Sequence, residues 1–297
     1  GKATTGKIAY LTFDDGPLAA TAQILNVLKE HDVKATFFVN GRDSDYALHM
    51  YKRMVAEGHA VGNHTYSHEY DKVYSSVSGF IAEVEQLQML VYETTGIAPE
   101  ILRFPAGSDN RVSFRYSGRD LMPTLTRVVR AMGMQYFDWN VTSGSANAAA
   151  TAESVYTSVI DGCQGKSVVN ILFHESRVVA LALPSIIEEL KLQGYSFAAL
   201  TTTSPAMQFL RVRILLLLEH MGRINGLFAF IERKIQFRAV TAQSGGIWSD
   251  LTDLLTFSYL LPCLYRNLRD VCVNRLPATT VINGNLTSPL RVLFHNA

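Results

Sequence analysis

The stretch Lys7–Pro17, KIAYLTFDDGP, contains the pattern from which the fold of this sequence can be predicted. Its beginning, KIAYLTF, is a mostly apolar run typical of a buried strand. The Asp-Asp-Gly-Pro turn follows, in which a carboxylate can cap a helix and the proline can take the first helical position. Apolar residues at helical spacing over 19–31 then predict an amphipathic helix, so the whole segment predicts a strand–turn–helix unit.

The same unit repeats along the chain to residue 203. Further strands are predicted at 35–40, within 57–63, and at 101–104, 135–139, 167–173 and 195–200. Further helices are predicted at 46–57, 79–95, 119–132, 152–163 and 184–193. Alternating strands and helices predict a parallel sheet covered by helices, and about seven such units favour a barrel over an open sheet. The predicted fold class is therefore α/β, a distorted (β/α) barrel.

The composition of the 297 residues limits the classes of protein that this chain can be. Apolar residues make up 48% and charged residues 18%, which suits a sizeable core and excludes wholesale disorder. The net charge of +1 argues against a nucleic-acid binder, because phosphate contacts need a clear basic excess. Three cysteines are too few for a disulfide scaffold or a Cys-rich zinc site. No run of about 18 apolar residues is present, so no membrane span is predicted.

The character of the chain changes after Thr203. Residues 1–203 carry a net charge of −4 and residues 204–297 one of +5, and this second part is Leu-rich without a repeating strand–helix pattern. A small helical accessory domain, a partner-binding appendage and a segment not selected to fold are three interpretations of it. We predict one domain over 1–203 that folds without the rest, and assign no function to 204–297. Because the chain begins with Gly1, an upstream signal or anchor that has been lost is also an expectation.

Pairs of acids and histidines follow two of the predicted strands. Asp14 and Asp15 directly follow the first strand, although a helix cap needs only one carboxylate. His64 and His68 are four residues apart, a spacing that in a helix places both imidazoles on one side, about 5–6 Å apart at Cβ. A surface segment that simply holds two histidines is the alternative interpretation. With a carboxylate nearby, the pair predicts a two-histidine, one-carboxylate metal site.

Three weaker signals lie at the ends of other predicted strands. Taken alone, Arg103 is typical of a surface cation or a salt-bridge partner. Asp138-Trp139 is typical of a core position, and His174 of a capped or solvated strand end. All of these residues lie where a predicted strand ends, as the acid and histidine pairs do. The carboxyl ends of the strands form the face where a barrel assembles its active site, so the clusters together predict a catalytic site there.

These segments resemble, in order, the five motifs of the polysaccharide deacetylases, also known as the NodB-homology group or carbohydrate esterase family 4. The matching residues are 12–17, 64–68, 103–107, 138–139 and 172–174, and the resemblance covers residues 7–203. Segments 104–108 and 138–144 are most similar to the peptidoglycan N-acetylglucosamine deacetylases of Gram-positive bacteria. Five motifs in the same order are far more specific than any one of them.

The resemblance implies a metal centre flanked by a base and an acid. Asp15, His64 and His68 match the metal ligands, usually for zinc, with cobalt or other divalent ions tolerated. Asp14 matches the catalytic base, which takes a proton from the attacking water. His174 matches the catalytic acid, which protonates the leaving amine, a role that suits a histidine near neutral pH.

The resemblance also implies roles for residues around these groups. Arg103 matches the residue that pairs with the base, and Asp138 the one that tunes the acid. Trp139 and Leu172 match walls of the substrate groove and of the pocket for the acetyl methyl. Ala106 stands where the family often has Tyr, whose backbone N–H helps form the oxyanion hole. The backbone donor survives this change, so we expect activity, but the contribution of the ring to the groove is lost.

The function implied by the resemblance is metal-dependent removal of N-acetyl groups from N-acetylglucosamine in a cell-wall polysaccharide, with peptidoglycan first. Chitin or acetylated xylan, a small cyclic amide, and carbohydrate binding without catalysis are the alternatives. The partner is a polysaccharide, not a nucleic acid, and we expect a monomer outside the cytoplasmic membrane or at the cell surface. Glu175 stands where Asp is usual after the acid, a departure for which the sequence offers no interpretation.

Overall fold

The predicted alternation of strands and helices is present in the computed structural model, which describes residues 6–210. The strands are β1 (Lys7–Asp14), β2 (Thr36–Val39), β3 (Ala60–Asn63), β4 (Ile101–Leu102), β5 (Gln135–Tyr136), β6 (Val141–Thr142), β7 (Val168–His174) and β8 (Tyr195–Phe197). The helices are α1 (Thr21–Glu30), α2 (Asp45–Ala56), α3 (Tyr70–Val73), α4 (Val77–Thr95), α5 (Phe114–Ser117), α6 (Leu121–Ala131), α7 (Ala152–Cys163) and α8 (Arg177–Leu192).

The strands form one parallel sheet with β1 near its centre. The order across the sheet is β5-β4-β3-β2-β1-β7-β6. β7 pairs with β1 from Ile8 to Asp14, while β2 and β8 pair with the two ends of β1 on its other side. Within residues 6–210 no pairing joins the end strands β5 and β6. The sheet with its helices is thus a half-barrel, and the prediction of a distorted (β/α) barrel is confirmed.

Phenylalanine rings from three neighbouring strands form the centre of the main core. Phe13 on β1 stacks on Phe37 of β2 with ring centroids 5.1 Å apart, and on Phe173 of β7 at 5.2 Å. All three side chains are fully buried, and each such burial contributes about 1.5–3 kcal/mol. Helices α1, α2, α7 and α8 pack against the same cluster. This packing fixes the carboxyl ends of β1 and β7, where Asp14 and His174 are paired neighbours.

Helix α8 differs most from its prediction. It begins at Arg177 and contains Pro184, which the sequence pattern indicated as the start of the helix. Proline favours the first turn of a helix, and this preference led to the wrong boundary. The actual start is capped by Ser176, whose side chain accepts a hydrogen bond from the Val179 N–H. The short elements α3, α5 and β6 were not predicted.

Buried His59, at the start of β3, makes stability depend on pH. Its Nδ1 accepts a hydrogen bond from the Ala35 N–H at 3.1 Å, and burial lowers its pKa from 6.5 to about 4. The folded protein therefore binds this proton less readily than the unfolded chain does. The stability that comes from neutral His59 is complete above pH 6.5 and is lost as the pH falls towards 4.

We expect His59→Gln to remove about 2–3 kcal/mol of the difference in unfolding free energy between pH 4.5 and pH 7.5. Glutamine keeps an acceptor for the Ala35 N–H but does not titrate in this range. Urea denaturation of both proteins at the two pH values measures the effect, with His49→Gln on the exposed surface of α2 as the matched control. An unchanged pH dependence in His59→Gln would contradict the assignment.

The contacts of this domain continue beyond the predicted boundary at Thr203. The carbonyl oxygen of Met207 accepts a hydrogen bond from the Asp138 N–H at 2.7 Å, and Gln208 accepts one from Arg130 at 2.7 Å. The boundary itself stays a prediction, because 211–297, most of the second part, lies outside the described residues. In the part of the chain that the structure describes, no helix has the length and apolar character needed to cross a membrane.

Candidate active site

The side chains predicted to carry chemistry lie at or just beyond the carboxyl ends of five strands. They are Asp14 and Asp15 at the end of β1, His64 and His68 after β3, Arg103 and Ala106 after β4, Asp138 and Trp139 after β5, and Leu172 and His174 in β7. Because the strands are parallel, these ends lie at one edge of the sheet. The structure therefore brings the five motifs to one site.

Three potential metal ligands converge at this edge. Nε2 of His64 and Nε2 of His68 each lie 3.5 Å from Oδ1 of Asp15. One ligand atom from each of the three residues can be chosen so that all lie within 4.8 Å of one another. Two imidazoles and one carboxylate are donors that suit zinc and other divalent transition metals. The geometry is that of a candidate metal centre.

The histidines come together on a loop and not on a helix, so the helical explanation of their spacing was wrong. Residues 64–69 follow β3 without helical structure, and Thr65 and His68 have positive φ angles of 67° and 59°. The loop is fixed by buried polar side chains. The Asn40 amide donates to the carbonyl oxygens of residues 64 and 65, and the Glu83 carboxylate accepts from the Ser67 N–H at 2.6 Å. These bonds fold the loop so that the two ring centroids lie 5.0 Å apart.

The hydrogen bonds around these ligands fit a bound cation. Nδ1 of His64 lies 2.7 Å from the carbonyl oxygen of Arg103, which fixes Nδ1 as the donor and leaves the Nε2 lone pair for a ligand. Burial lowers the pKa of His68 and so favours the neutral form that binds metals. Oδ1 of Asp15 is buried and has no hydrogen-bond partner within residues 6–210. A buried carboxylate oxygen without a donor needs a cation for compensation.

Asp14 lies next to the three potential metal ligands and is held by a buried ion pair. Its Oδ1 accepts a hydrogen bond from Nη1 of Arg103 at 2.9 Å, and its Oδ2 lies 3.7 Å from Nε2 of His64. The side chain of Arg103 is fully buried and that of Asp14 nearly so. The structure therefore places Asp14 between the guanidinium group and the candidate metal centre.

Every N–H of the Arg103 guanidinium group donates a hydrogen bond. The five N–H groups that an arginine side chain offers find five acceptors. These are the carbonyl oxygens of Phe137 and Asp138 and the side-chain oxygens of Thr12, Asp14 and Asn170, at 2.7–3.2 Å. The guanidinium carbon also lies 4.3 Å from the centroid of the Phe38 ring. A cation so enclosed fixes the strand ends of β1, β5 and β7 relative to one another.

Asp138 and His174 do not make the direct contact that their implied roles suggest. The Asp138 carboxylate accepts from the Ser108 N–H at 2.8 Å, the Ser108 hydroxyl at 2.5 Å and the Phe209 N–H at 2.8 Å. Burial raises the pKa of Asp138, against the effect of these donors. Nδ1 of His174 instead lies 3.5 Å from the hydroxyl of Ser145. Asp138 is thus placed to fix the 105–108 loop, and Ser145 to orient the histidine ring.

The loop after β4 presents a free backbone donor. Ala106 is exposed and has a φ angle of 63°, and no hydrogen bond among the described residues uses its N–H. Positive φ angles at non-glycine residues cluster at this site, since Asp15, Thr65, His68 and Ala106 are four of the five that the described chain contains. Backbone strain of this kind persists only where surrounding contacts hold the residues in place, and it is typical of functional sites.

Known proteins are similar to this chain in sequence. Residues 1–137 match the family model for polysaccharide deacetylases. A peptidoglycan-N-acetylglucosamine deacetylase of Bacillus cereus is 35% identical over 207 residues, which cover 65% of this chain and 69% of that relative. This chain belongs to the polysaccharide deacetylase family. A chitin deacetylase of Pestalotiopsis and a bifunctional xylanase/deacetylase of Pseudobutyrivibrio xylanivorans are also similar, at 38% over 112 residues and 32% over 200 residues.

Solved structures of polysaccharide deacetylases share the fold. The catalytic domain of a peptidoglycan N-acetylglucosamine deacetylase from Eubacterium rectale is 40% identical, with a TM-score of 0.67 over 71% of this chain and 95% of that one. A polysaccharide deacetylase from Bacillus cereus is 33% identical, with a TM-score of 0.60 over 68% of this chain and 97% of that one. The described domain thus corresponds to nearly the whole of each solved chain.

Glu175 anchors the turn that carries the first motif of this polysaccharide deacetylase. Its carboxylate accepts hydrogen bonds from the Thr21 hydroxyl and from the Leu18 N–H, and burial raises its pKa to about 7. A Cβ atom at Gly16 would overlap this carboxylate, which explains the glycine there. The sequence offered no interpretation of Glu175. The structure places it under the turn that follows Asp15.

Other residues that support the site were missed in the sequence. Asn170 accepts from Arg103 at 3.2 Å and donates to the Asp138 carbonyl oxygen at 2.9 Å, from the middle of β7. A single amide in the apolar run VVNILF was a signal that could have indicated this role. Ser108 and Ser145 carry no such signal, because serines in loops are common. Their roles depend on loop conformations that a sequence pattern does not determine.

Proposed function

We propose that this polysaccharide deacetylase removes N-acetyl groups from N-acetylglucosamine residues of peptidoglycan with the help of one divalent metal ion, zinc. One observation carries the proposal. The ligand atoms of Asp15, His64 and His68 converge within 4.8 Å, directly beside a carboxylate, Asp14, that a buried guanidinium group holds in place. This is the donor set of a hydrolytic metal centre with an adjacent base.

The three proposed ligands would leave part of the coordination sphere of the metal ion unfilled. Three protein donors do not complete the coordination sphere of a divalent ion, so positions remain for water and substrate. The chemistry that a divalent ion supplies in such a site is Lewis-acid polarisation of the acetamide carbonyl and of water. The fixed tautomer of His64 and the unpaired Oδ1 of Asp15 support the assignment of these side chains as ligands.

Asp14 is the proposed general base. Arg103 occupies its Oδ1, so Oδ2, on the side of His64, is the oxygen that takes the proton from water as the water oxygen adds to the acetamide carbon. The backbone N–H of Ala106 stabilises the oxyanion formed in this step, a contribution of about 3–4 kcal/mol for a well-placed donor. Leu172 and Trp139, a buried and a half-buried side chain at the same edge, are the proposed walls for the acetyl methyl and the sugar.

His174 is the proposed general acid. It gives a proton to the sugar nitrogen as the C–N bond breaks, so the products are acetate and a free amine. Asp14 and His174 are paired across β1 and β7, which places base and acid on adjacent strands at the same edge. Ser145 faces Nδ1 of His174 and thereby leaves Nε2 for the substrate. Asp138 acts on this arrangement indirectly, through its hydrogen bonds to Ser108 and Phe209.

The polymer is proposed from the names of the similar proteins. The Bacillus cereus relative and the Eubacterium rectale structure are both described as peptidoglycan N-acetylglucosamine deacetylases. A cell-wall substrate implies that the domain acts outside the cytoplasmic membrane or at the cell surface. We propose that the protein acts as a monomer.

The substrate proposal is tested with the zinc-loaded protein. The acetate released from peptidoglycan, from N-acetylglucosamine oligomers and from acetylated xylan is measured. We expect release from peptidoglycan and from N-acetylglucosamine oligomers, with kcat/KM rising with oligomer length because remote binding supports the chemical step. Release from acetylated xylan alone would contradict the choice of substrate. Oligomer binding without release from any polymer would favour a carbohydrate-binding relative. Hydrolysis of a small cyclic amide alone, measured as ring opening because this reaction frees no acetate, would favour an amidase.

A further inference from the structure

An exposed aromatic ring lies beside the active site and has no part in the mechanism above. Phe209 lies beyond β8 and outside the five motifs, and 44% of its surface is exposed. Its ring meets that of Trp139 edge-on, with centroids 5.0 Å apart and planes at 80°. We refer to these two rings as the aromatic corner. Trp139 directly follows Asp138, so the corner lies at the same edge of the sheet as the candidate active site.

Backbone hydrogen bonds hold the segment from which the Phe209 ring projects. The Phe209 N–H donates to Oδ2 of Asp138 at 2.8 Å, and the carbonyl oxygen of Met207 accepts from the Asp138 N–H at 2.7 Å. The Leu210 N–H donates to the Ser108 hydroxyl at 3.0 Å. Asp138 and Ser108 are buried, so the anchors are rigid. An exposed apolar ring on a backbone held in this way is partly preorganised for a ligand, because little backbone entropy remains to be lost on binding.

The aromatic corner adjoins the proposed position of the reacting acetyl group. A Cβ atom added to Gly107 would lie 3.3 Å from Trp139 and 3.4 Å from Phe209, so both rings lie beside Gly107 in the 105–108 loop. The neighbouring residue in that loop, Ala106, provides the proposed oxyanion donor. Its side chain is only a methyl group, so Ala106 adds little bulk beside the corner.

We propose that the aromatic corner is a binding subsite for a second hexosamine ring of the polymer, next to the ring that is deacetylated, and that Phe209 is a specificity-determining residue of this subsite. The inference rests on the proposed function. The chemistry of the corner suits a sugar, because a pyranose ring offers a face of C–H groups that can pack on an aromatic ring while its hydroxyls stay in water. Trp139 and Phe209, at 80° to each other, provide contact surfaces in two orientations.

The test compares Phe209→Ala with wild type in the full-length zinc-loaded protein. The substitution removes the ring but keeps the backbone N–H that Asp138 accepts. We expect KM for tetra-N-acetylchitotetraose to rise about fivefold to tenfold, as an aromatic contact of about 1 kcal/mol or slightly more implies. We expect kcat for the tetramer and KM for the N-acetylglucosamine monomer to stay within about twofold.

Two further variants separate binding from structure. Phe209→Trp restores a ring and should return KM for the tetramer to within about twofold of wild type. Tyr92→Ala removes another exposed ring, in the last turn of α4, and should leave all parameters unchanged. An unchanged KM in Phe209→Ala, or a lower kcat with an unchanged KM, would overturn the proposal. The second result would assign Phe209 a structural role near Asp138.

Acetate release by the wild-type protein shows separately whether the proposed function is wrong. If the wild-type protein releases no acetate from any N-acetylglucosamine substrate, the function is wrong whatever Phe209 does. Calorimetric titration with tetra-N-acetylchitotetraose then tests the subsite directly. A Kd about fivefold to tenfold weaker in Phe209→Ala than in wild type supports the subsite, and equal Kd values or no binding to either protein would overturn it.

Discussion

Replacing Asp14 with Asn lowers kcat by about 10²- to 10⁴-fold while the protein keeps its metal. Asparagine has nearly the same shape as aspartate, and its amide oxygen can still accept the hydrogen bond from Arg103. It cannot take up a proton from the attacking water, so the substitution removes general-base catalysis. Acetate release measures the rate, and elemental analysis of the purified protein measures the bound zinc.

Asp32→Asn is the matched control for this substitution, because the Asp32 side chain is 96% exposed and lies outside the five motifs. We expect it to be indistinguishable from wild type in both measurements. Loss of zinc from Asp14→Asn would contradict the assignment of Asp14 as a base that is not a ligand. A rate within tenfold of wild type would show that another group takes the proton.

Replacing His64 with Ala removes both the bound zinc and the activity. The remaining ligands, Asp15 and His68, form an incomplete site, and the loss of Lewis-acid polarisation costs several kcal/mol, or roughly 10³-fold or more in rate. Because His64 is buried and its ring bonds to the Arg103 carbonyl oxygen, the half-buried His68 provides a second variant that disturbs the fold less. His68→Ala is expected to lose zinc and activity in the same way.

His49→Ala is the control for the histidine variants, since this side chain is exposed on α2. Circular dichroism shows whether each variant is folded, and elemental analysis shows whether it holds zinc. Full zinc occupancy in both His64→Ala and His68→Ala, with wild-type rates, would contradict the metal centre. Zinc loss together with unchanged acetate release would contradict the role of the metal in the reaction.

Much of the fold and the location of the site follow from short-range patterns. The apolar run before Asp14 predicts a buried strand, and repetition of the strand–helix unit predicts a parallel sheet. In such a sheet all strands end at the same edge, so residues as distant in sequence as Asp14 and His174 can be predicted to meet there. The structure agrees, because these two residues are paired neighbours on β1 and β7.

The parts that could not be predicted depend on tertiary contacts. The loop that carries His64 and His68 takes its shape from Asn40 and Glu83, which are distant in sequence, and not from helical spacing. The Asp138 carboxylate contacts Ser108 and Phe209 and not the His174 ring, because the loop before β5 and the segment after β8 supply backbone donors to it. No local pattern contains this information.

We propose that this chain is a metal-dependent N-deacetylase. The most direct test measures acetate released from N-acetylglucosamine oligomers by metal-stripped protein, before and after one equivalent of zinc is added. We predict no release before the addition and restored release after it. No release from protein shown to hold zinc would contradict the proposed deacetylase activity. The same rate with and without metal would contradict its dependence on the metal.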